Sequence, residues 1–178
     1  FYPSTNISAT VSKYLKASGP SITIPTACAA GNYAISYGAE MIKDEKVDMA
    51  YVGGADGLSR SCFALFHRLG AMSPDFCRPF DKNRQGMMVS EGAGVLVLES
   101  LESALNRNAY IYAEIIGHGL SCDAYHSTAP HPEGLGATLA MLKALKSANI
   151  KANEVSYISA HGTGTKANDS TESKALYR

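Results

Sequence analysis

Between Ser21 and Lys43 the chain passes from a short apolar stretch, Ser21-Ile22-Thr23-Ile24, through Thr26-Ala27-Cys28 into a segment crowded with small residues. Ala29, Ala30, Gly31, Ala34, Gly38 and Ala39 all fall in it. The apolar quartet reads as a short buried strand. Small side chains at so many helical positions let neighbouring backbones approach from several sides, which predicts a central helix rather than a surface one. A strand feeding such a helix is an α/β unit, and the punctuation of the rest of the chain alternates in the same manner.

Ser4 or Thr5 can cap a helix running to about Lys16, closed by Ser18-Gly19-Pro20. Val47 to Val52 reads as a strand ended by Gly53-Gly54-Ala55-Asp56-Gly57. Phe63, Phe66 and Leu69 give a short helical face before a loop containing Pro74 and Pro79. Val95–Glu99, Tyr110–Gly117 and Val155–Ala160 read as further strands, and Leu135, Leu139, Leu142 and Leu145 repeat at helical spacing. A last helix is predicted to begin near Asp169. No linker-like stretch and no fixed-period repeat interrupts this order, so one domain is expected.

Composition narrows the class. Of 178 residues, 46% are hydrophobic, and 16 basic residues balance 16 acidic ones, which excludes a disordered chain and disfavours a nucleic-acid binder. The longest aliphatic run, Val95 to Leu98, is far too short to span a bilayer. No signal-peptide pattern opens the chain, and the four cysteines have neither metal-site nor disulfide-framework spacing, so a reduced, cytoplasmic protein is expected. The chain opens at Phe1 without a Met and stops at Arg178 within a helical pattern, so an excerpt of a longer protein is expected.

Two reactive residues follow short apolar strands. Cys28 stands where a long helix begins, and the positive end of the macrodipole together with free amides favours the nucleophilic thiolate. The small neighbours Ala29, Ala30 and Gly31 leave room for a carbonyl to approach those amides. A buried structural cysteine is the competing reading. Cys62, Cys77 and Cys122 lack such a setting and read as structural. His161 leaves its strand into Gly162-Thr163-Gly164-Thr165, where glycines allow tight turns and two hydroxyls can donate or accept. It reads either as an acid–base or hydrogen-bonding catalyst or as a satisfied polar partner; a phosphate loop would need a lysine in the G-x-x-x-x-G-K-[ST] spacing, and none falls there. In open α/β sheets, sites form beyond the carboxyl ends of strands, so the two residues could converge. His118, His126 and His131 do not share a helix face, which disfavours a metal site. Asp169 and Glu172, three apart at a helix start, suit the helix dipole.

Six segments then occur in one order: Thr26-Ala27-Cys28-Ala29-Ala30-Gly31, Gly53-Gly54-Ala55-Asp56, Arg78-Pro79-Phe80-Asp81, Glu91-Gly92-Ala93-Gly94, Ser121-Cys122-Asp123-Ala124-Tyr125-His126 and His161-Gly162-Thr163-Gly164-Thr165. Together they resemble the β-ketoacyl-acyl-carrier-protein synthases, above all the elongating type of fatty acid synthesis, over essentially the whole chain. The resemblance implies the thiolase-like layered α/β/α/β/α fold, of which this chain holds only part: the end of the first half with the nucleophile, most of the crossover and the start of the second half.

It also implies roles. Cys28 would take up the acyl chain as a thioester, and His161 would donate a hydrogen bond to the malonyl thioester oxygen as decarboxylation forms an enolate. Thr163 and Thr165 would bind the phosphopantetheine arm, with His126 and Thr128 lining the same channel. Phe63 and Phe66 would line the acyl pocket, and Asp169 and Glu172 would support the reacting groups. The expected partners are acyl carrier protein and a second copy of the enzyme, with neither nucleic acid nor membrane. No cofactor or metal is expected, since the substrates travel on the carrier's phosphopantetheine. The family also uses a second histidine, preceded by a lysine, and a phenylalanine near its C-terminus; the sequence holds neither, so these 178 residues alone are not expected to complete a condensation. A ketosynthase domain of a polyketide synthase is an alternative. A non-catalytic chain-length or assembly subunit is another, although Cys28 argues against it. Zero net charge means that docking of an acidic carrier would rest on a local patch.

Overall fold

The computed structural model describes residues 5–178. In chain order its elements are α1 (Thr5–Leu15), a 3-10 turn (Ala27–Ala29), α2 (Ala30–Lys43), β1 (Met49–Asp56), α3 (Arg60–Arg68), β2 (Gly92–Glu99), α4 (Leu101–Asn106), α5 (Leu135–Ala148), a second 3-10 turn (Ala152–Glu154) and α6 (Lys166–Leu176). They fall into two compact units. One holds the residues up to Asp56 with Glu91–Glu114; the other holds Gly57–Ser90 with Ile115–Arg178.

In the first unit β1 and β2 form an antiparallel pair in continuous register, from Met49 opposite Glu99 to Asp56 opposite Gly92. The sequence predicts that Gly53-Gly54 ends the strand, but both glycines lie inside the ladder, facing Val95 and Gly94. A Cβ on Gly53 would stand 2.0 Å from the Gly94 carbonyl oxygen, so two glycine-bearing strands approach where side chains would keep them apart. The same logic seats α2 on the sheet. A Cβ on buried Gly38 would come within 2.4 Å of Val52 Cγ1, and Val52 is one of three buried hydrophobic residues among those described, with Ala104 and Ala175. Within α2 only Ser36 and Gly38 are buried, so the small residues meet the sheet on one face rather than packing on several sides.

α1 ends where the sequence predicts, at Leu15 with Lys16 in the left-handed region (φ 53°), just before Ser18-Gly19-Pro20. The expected cap at Ser4 lies outside the described residues. Ser100 starts the short α4, which the apolar spacing did not reveal, by accepting from the Ser103 amide at 3.1 Å.

In the second unit Ser59 caps α3 in the same way, accepting from the Cys62 amide. The leucine repeat does form α5, yet Leu135, Leu139 and Leu142 are exposed. The face that packs carries Gly136, Ala140, Ala144 and Ala148, four residues apart. Cβ atoms on Gly117 and Gly119 would lie 2.5 Å from Ala148 N and 2.0 Å from Ala140 O, so residues 117–119 lie directly on that face. The segments Ser21–Ile24, Tyr110–Gly117 and Val155–Ala160, expected as strands, form no ladder among the described residues. Tyr110, Tyr112 and Tyr157 are more than 80% exposed. Apolar alternation marks a backbone suited to a sheet, whereas a strand also needs a neighbour to accept and donate its hydrogen bonds.

Candidate active site

Cys28 occupies the centre of the 3-10 turn that leads into α2. The preceding Ala27 has φ 49°, a left-handed value uncommon for a residue with a side chain, and this kink turns the incoming chain into the helix. The Ala29 amide bonds back to the Thr26 carbonyl at 3.2 Å, and the Ala30 amide caps on Ala27 O. Cys28 itself is exposed. The expected placement therefore holds with one refinement: α2 starts two residues beyond the thiol, which rides on the tighter turn.

The His161–Thr165 loop in the second unit is held by the helix that follows it. Glu172 on α6 accepts from the His161 and Gly162 amides at 2.6 and 2.9 Å. One turn earlier, Asp169 accepts from the Gly164 amide at 3.1 Å and from the Phe80 amide at 2.7 Å. Asp169 is 1% exposed. The two carboxylates at i and i+3 face the loop together, and Asp169 satisfies the buried Gly164 amide, which would cost about 1–3 kcal/mol if left unpaired. Helix α6 begins at Lys166, three residues ahead of expectation, because Thr165 caps it by accepting from the Asn168 amide at 3.3 Å.

Thr163 and Thr165 face each other, Oγ1 to Oγ1 at 2.9 Å, and the Thr165 amide donates to Thr163 Oγ1 at 3.3 Å. Gly162 and Gly164 take φ values of 50° and 75°, which the alternating glycines make available. The loop backbone is thus pinned while the His161 side chain is exposed. Such an arrangement can present an imidazole and a pair of hydroxyls at a fixed spacing.

His126 and Thr128 lie in the loop before α5, where His126 Nδ1 accepts from the Thr128 and Ala129 amides at 3.1 and 3.0 Å. With Nδ1 accepting, the proton of the neutral ring sits on Nε2. Asp123 closes this loop by accepting from the His131 amide at 2.8 Å and from the Gly136 amide at 3.0 Å. Lys174 on α6 bonds Glu133 at 2.8 Å, and that bond and charge hold the Glu133 carboxyl below the usual glutamate range. Phe66 is half-buried and Phe63 half exposed on α3, where Phe63 stacks on His67 with ring centroids 6.4 Å apart.

Local spacing did not point to four residues that build this site: Cys77, Phe80, Arg84 and Asn168. The Cys77 thiol donates to the Thr163 carbonyl at 3.3 Å, and Asn168 Nδ2 donates to Asp169 Oδ1 at 3.2 Å. Arg84 pairs with Asp169 Oδ2 at 3.3 Å. Cys77, Phe80 and Arg84 act from more than 80 residues away along the chain, a distance at which no pattern in one sequence reports a contact. No helix among the described residues is long and apolar enough to cross a membrane.

The family model for the β-ketoacyl synthase N-terminal domain matches residues 3–104, and the one for the C-terminal domain matches residues 112–178. The 3-oxoacyl-[acyl-carrier-protein] synthase 2 of Synechocystis is 46% identical over 91% of this chain and 41% of its own length. Among solved structures, the ishigamide ketosynthase/chain length factor is 51% identical with a TM-score of 0.94, over 98% of this chain and 44% of its own. A ketosynthase of a type II polyketide synthase, in complex with its acyl-carrier protein, is 36% identical with a TM-score of 0.90, over 96% of this chain and 44% of its own. The chain therefore spans well under half the length of the proteins it matches. It carries part of the thiolase-like layered α/β fold of the ketosynthases, and it belongs to the β-ketoacyl synthase family.

Proposed function

We propose that the protein elongates fatty acyl chains by decarboxylative Claisen condensation of an acyl-enzyme thioester with malonyl-acyl carrier protein. The observation that carries this reading is the His161–Thr165 loop, whose backbone is strapped by Asp169 and Glu172 while the imidazole stays exposed beside the paired Thr163 and Thr165 hydroxyls. In the first step the Cys28 thiolate attacks the carbonyl carbon of the acyl thioester. The new C–S bond forms as the old one breaks, and the pantetheine sulfur leaves as a thiolate that takes a proton from solvent. In the second step the malonyl group loses carbon dioxide, and the electron pair of the broken C–C bond enters the thioester as an enolate. His161 donates a hydrogen bond to the enolate oxygen, where charge develops and a fixed donor is worth most. The enolate carbon then attacks the Cys28 thioester, a C–C bond forms and the Cys28 thiolate is released.

In this reading Thr163 and Thr165 hydrogen-bond the phosphopantetheine arm, and His126 and Thr128 line its channel. Phe63 and Phe66 line the acyl pocket, and Asp169 and Glu172 hold the loop without reacting. The partner is an acyl carrier protein, which the similar ketosynthase solved with its carrier supports. No cofactor is needed beyond the carrier's phosphopantetheine. The working form is a homodimer in the cytoplasm, a setting with which four free thiols agree. The 178 residues by themselves would not complete the cycle, because a second histidine and a C-terminal oxyanion donor are required. Similarity to the polyketide ketosynthase favours one second reading, the same chemistry within a polyketide synthase.

The test uses the protein expressed from its full coding sequence, incubated with acyl-carrier thioester and mapped by mass spectrometry. Acylation is expected at Cys28 and lost in Cys28→Ser; a label elsewhere, or one retained in that variant, refutes the assignment. His161→Ala is expected to keep the acylation and to slow malonyl decarboxylation by roughly 10²–10³-fold, as for loss of one oxyanion donor.

A further inference from the structure

The Arg84 guanidinium reaches four acceptors, three of them more than 80 residues away along the chain. Nε donates to the Thr165 carbonyl at 3.3 Å and lies 3.3 Å from Asp169 Oδ2. One terminal nitrogen donates to the Lys166 carbonyl at 3.1 Å, and the other to the Asp81 carbonyl at 3.1 Å. The side chain is 18% exposed. It therefore holds the turn beginning at Asp81 against the junction between the His161–Thr165 loop and α6.

Helix stability alone would not place a cation there. Thr165 and Lys166 start α6, and the N-terminal end of a helix carries positive partial charge that disfavours arginine. The buried Asp169 carboxylate offsets this, and that same carboxylate holds the Gly164 and Phe80 amides. One cation–carboxylate pair thus sets the loop backbone from both sides, on its amides through Asp169 and on its carbonyls through Arg84. Its planar fork addresses several acceptors at once, which one ammonium group cannot do.

We infer that Arg84 is a positioning residue for the malonyl half-reaction: it fixes the Thr165 carbonyl, and with it the Thr163–Thr165 hydroxyl pair and, through Asp169, the Gly164 amide, without touching substrate. This rests on the proposed function for what the loop does, and on the geometry alone for how the loop is held. Because Cys28 belongs to the other unit, Arg84 should matter to one half-reaction and not to the other.

The experiment compares Arg84→Lys and Arg84→Gln with the unsubstituted protein, each expressed from its full coding sequence. Three readouts are needed: Cys28 acylation in a single turnover, malonyl decarboxylation with its KM and kcat, and hydrogen exchange of the Gly164 and Phe80 amides, which Asp169 holds, against those of α5. Both variants are expected to acylate Cys28 within about twofold of the parent. Decarboxylation is expected to slow by about 10-fold to 10²-fold, the scale of a small misplacement of a reacting group. Gly164 and Phe80 should exchange about tenfold faster while α5 is unchanged, and lysine should restore little. Parallel loss of both half-reactions, unchanged decarboxylation, full rescue by lysine or failure of both variants to fold would each overturn the inference. If the parent itself neither acylates Cys28 nor decarboxylates malonyl thioester, the functional reading fails, and the exchange arm still decides whether Arg84 holds the loop.

Discussion

Replacing Gly164 by alanine tests whether the His161–Thr165 loop depends on its backbone path. Gly164 is buried and has φ 75°, where an L-residue pays roughly 1–2 kcal/mol in steric conflict. The added methyl would stand 2.6 Å from the Gly86 carbonyl oxygen, 3.0 Å from Cys77 Sγ and 3.4 Å from the Arg78 amide nitrogen. Forcing a methyl into such a space costs a further 1–3 kcal/mol or so, giving about 2–5 kcal/mol in all. Against a total stability of about 5–15 kcal/mol that is a large fraction. The chain has no tryptophan, so urea unfolding of Gly164→Ala would be followed by far-ultraviolet circular dichroism and tyrosine fluorescence. Adding Cys77→Ala should recover little, because the tightest obstacle is the Gly86 backbone oxygen rather than the thiol. A loss below about 1 kcal/mol, or near-complete rescue by Cys77→Ala, would show that the loop moves freely and would refute this account of its rigidity.

Two further outcomes are expected. Gly119→Ala should destabilise by about 1–3 kcal/mol and raise hydrogen exchange along α5, because the new Cβ would sit 2.0 Å from Ala140 O; unchanged exchange would mean that residues 117–119 do not seat the helix. Hydrogen bonds from Arg107 hold the Glu99 carboxyl below the ordinary glutamate value of 4.5, with Ser103 and the Arg107 charge adding to the effect against partial desolvation. A carboxyl lowered in the folded state contributes stability above its unfolded value, and that contribution is lost as pH falls through the folded value. The stability gap between the unsubstituted protein and Glu99→Gln should therefore be widest near neutral pH and shrink as pH falls below 4.5 and through the lower folded value; a gap independent of pH would contradict the pairing.

Much of the site was legible in the residue order because its signals are local. Cys28 precedes a run of small residues, His161 precedes alternating glycines and hydroxyls, and Asp169 and Glu172 share one helix face; each pattern closes within a few residues. The α2, α3, α5 and α6 segments were legible for the same reason, since a helix satisfies its own backbone within four residues. Gly53 and Gly54 were misread as a stop because their meaning depends on Gly94 in another strand. The leucines of α5 were a misleading guide to its packed face, since Gly117 and Gly119 approach the alanines instead.

The sequence by itself thus determined which residues could react and which short segments would coil or kink, because dipoles, caps and positive φ act over one or two turns. Only the tertiary structure decided what holds the His161 loop. Arg84, Phe80 and Cys77 reach it from far along the chain, and their effect depends on hydrogen-bond distances that no single-sequence spacing encodes. It also decided which apolar segments pair: β1 and β2 found each other, while Tyr110–Gly117 and Val155–Ala160 form no ladder among the described residues. Strand propensity belongs to one segment, whereas a sheet is a property of two.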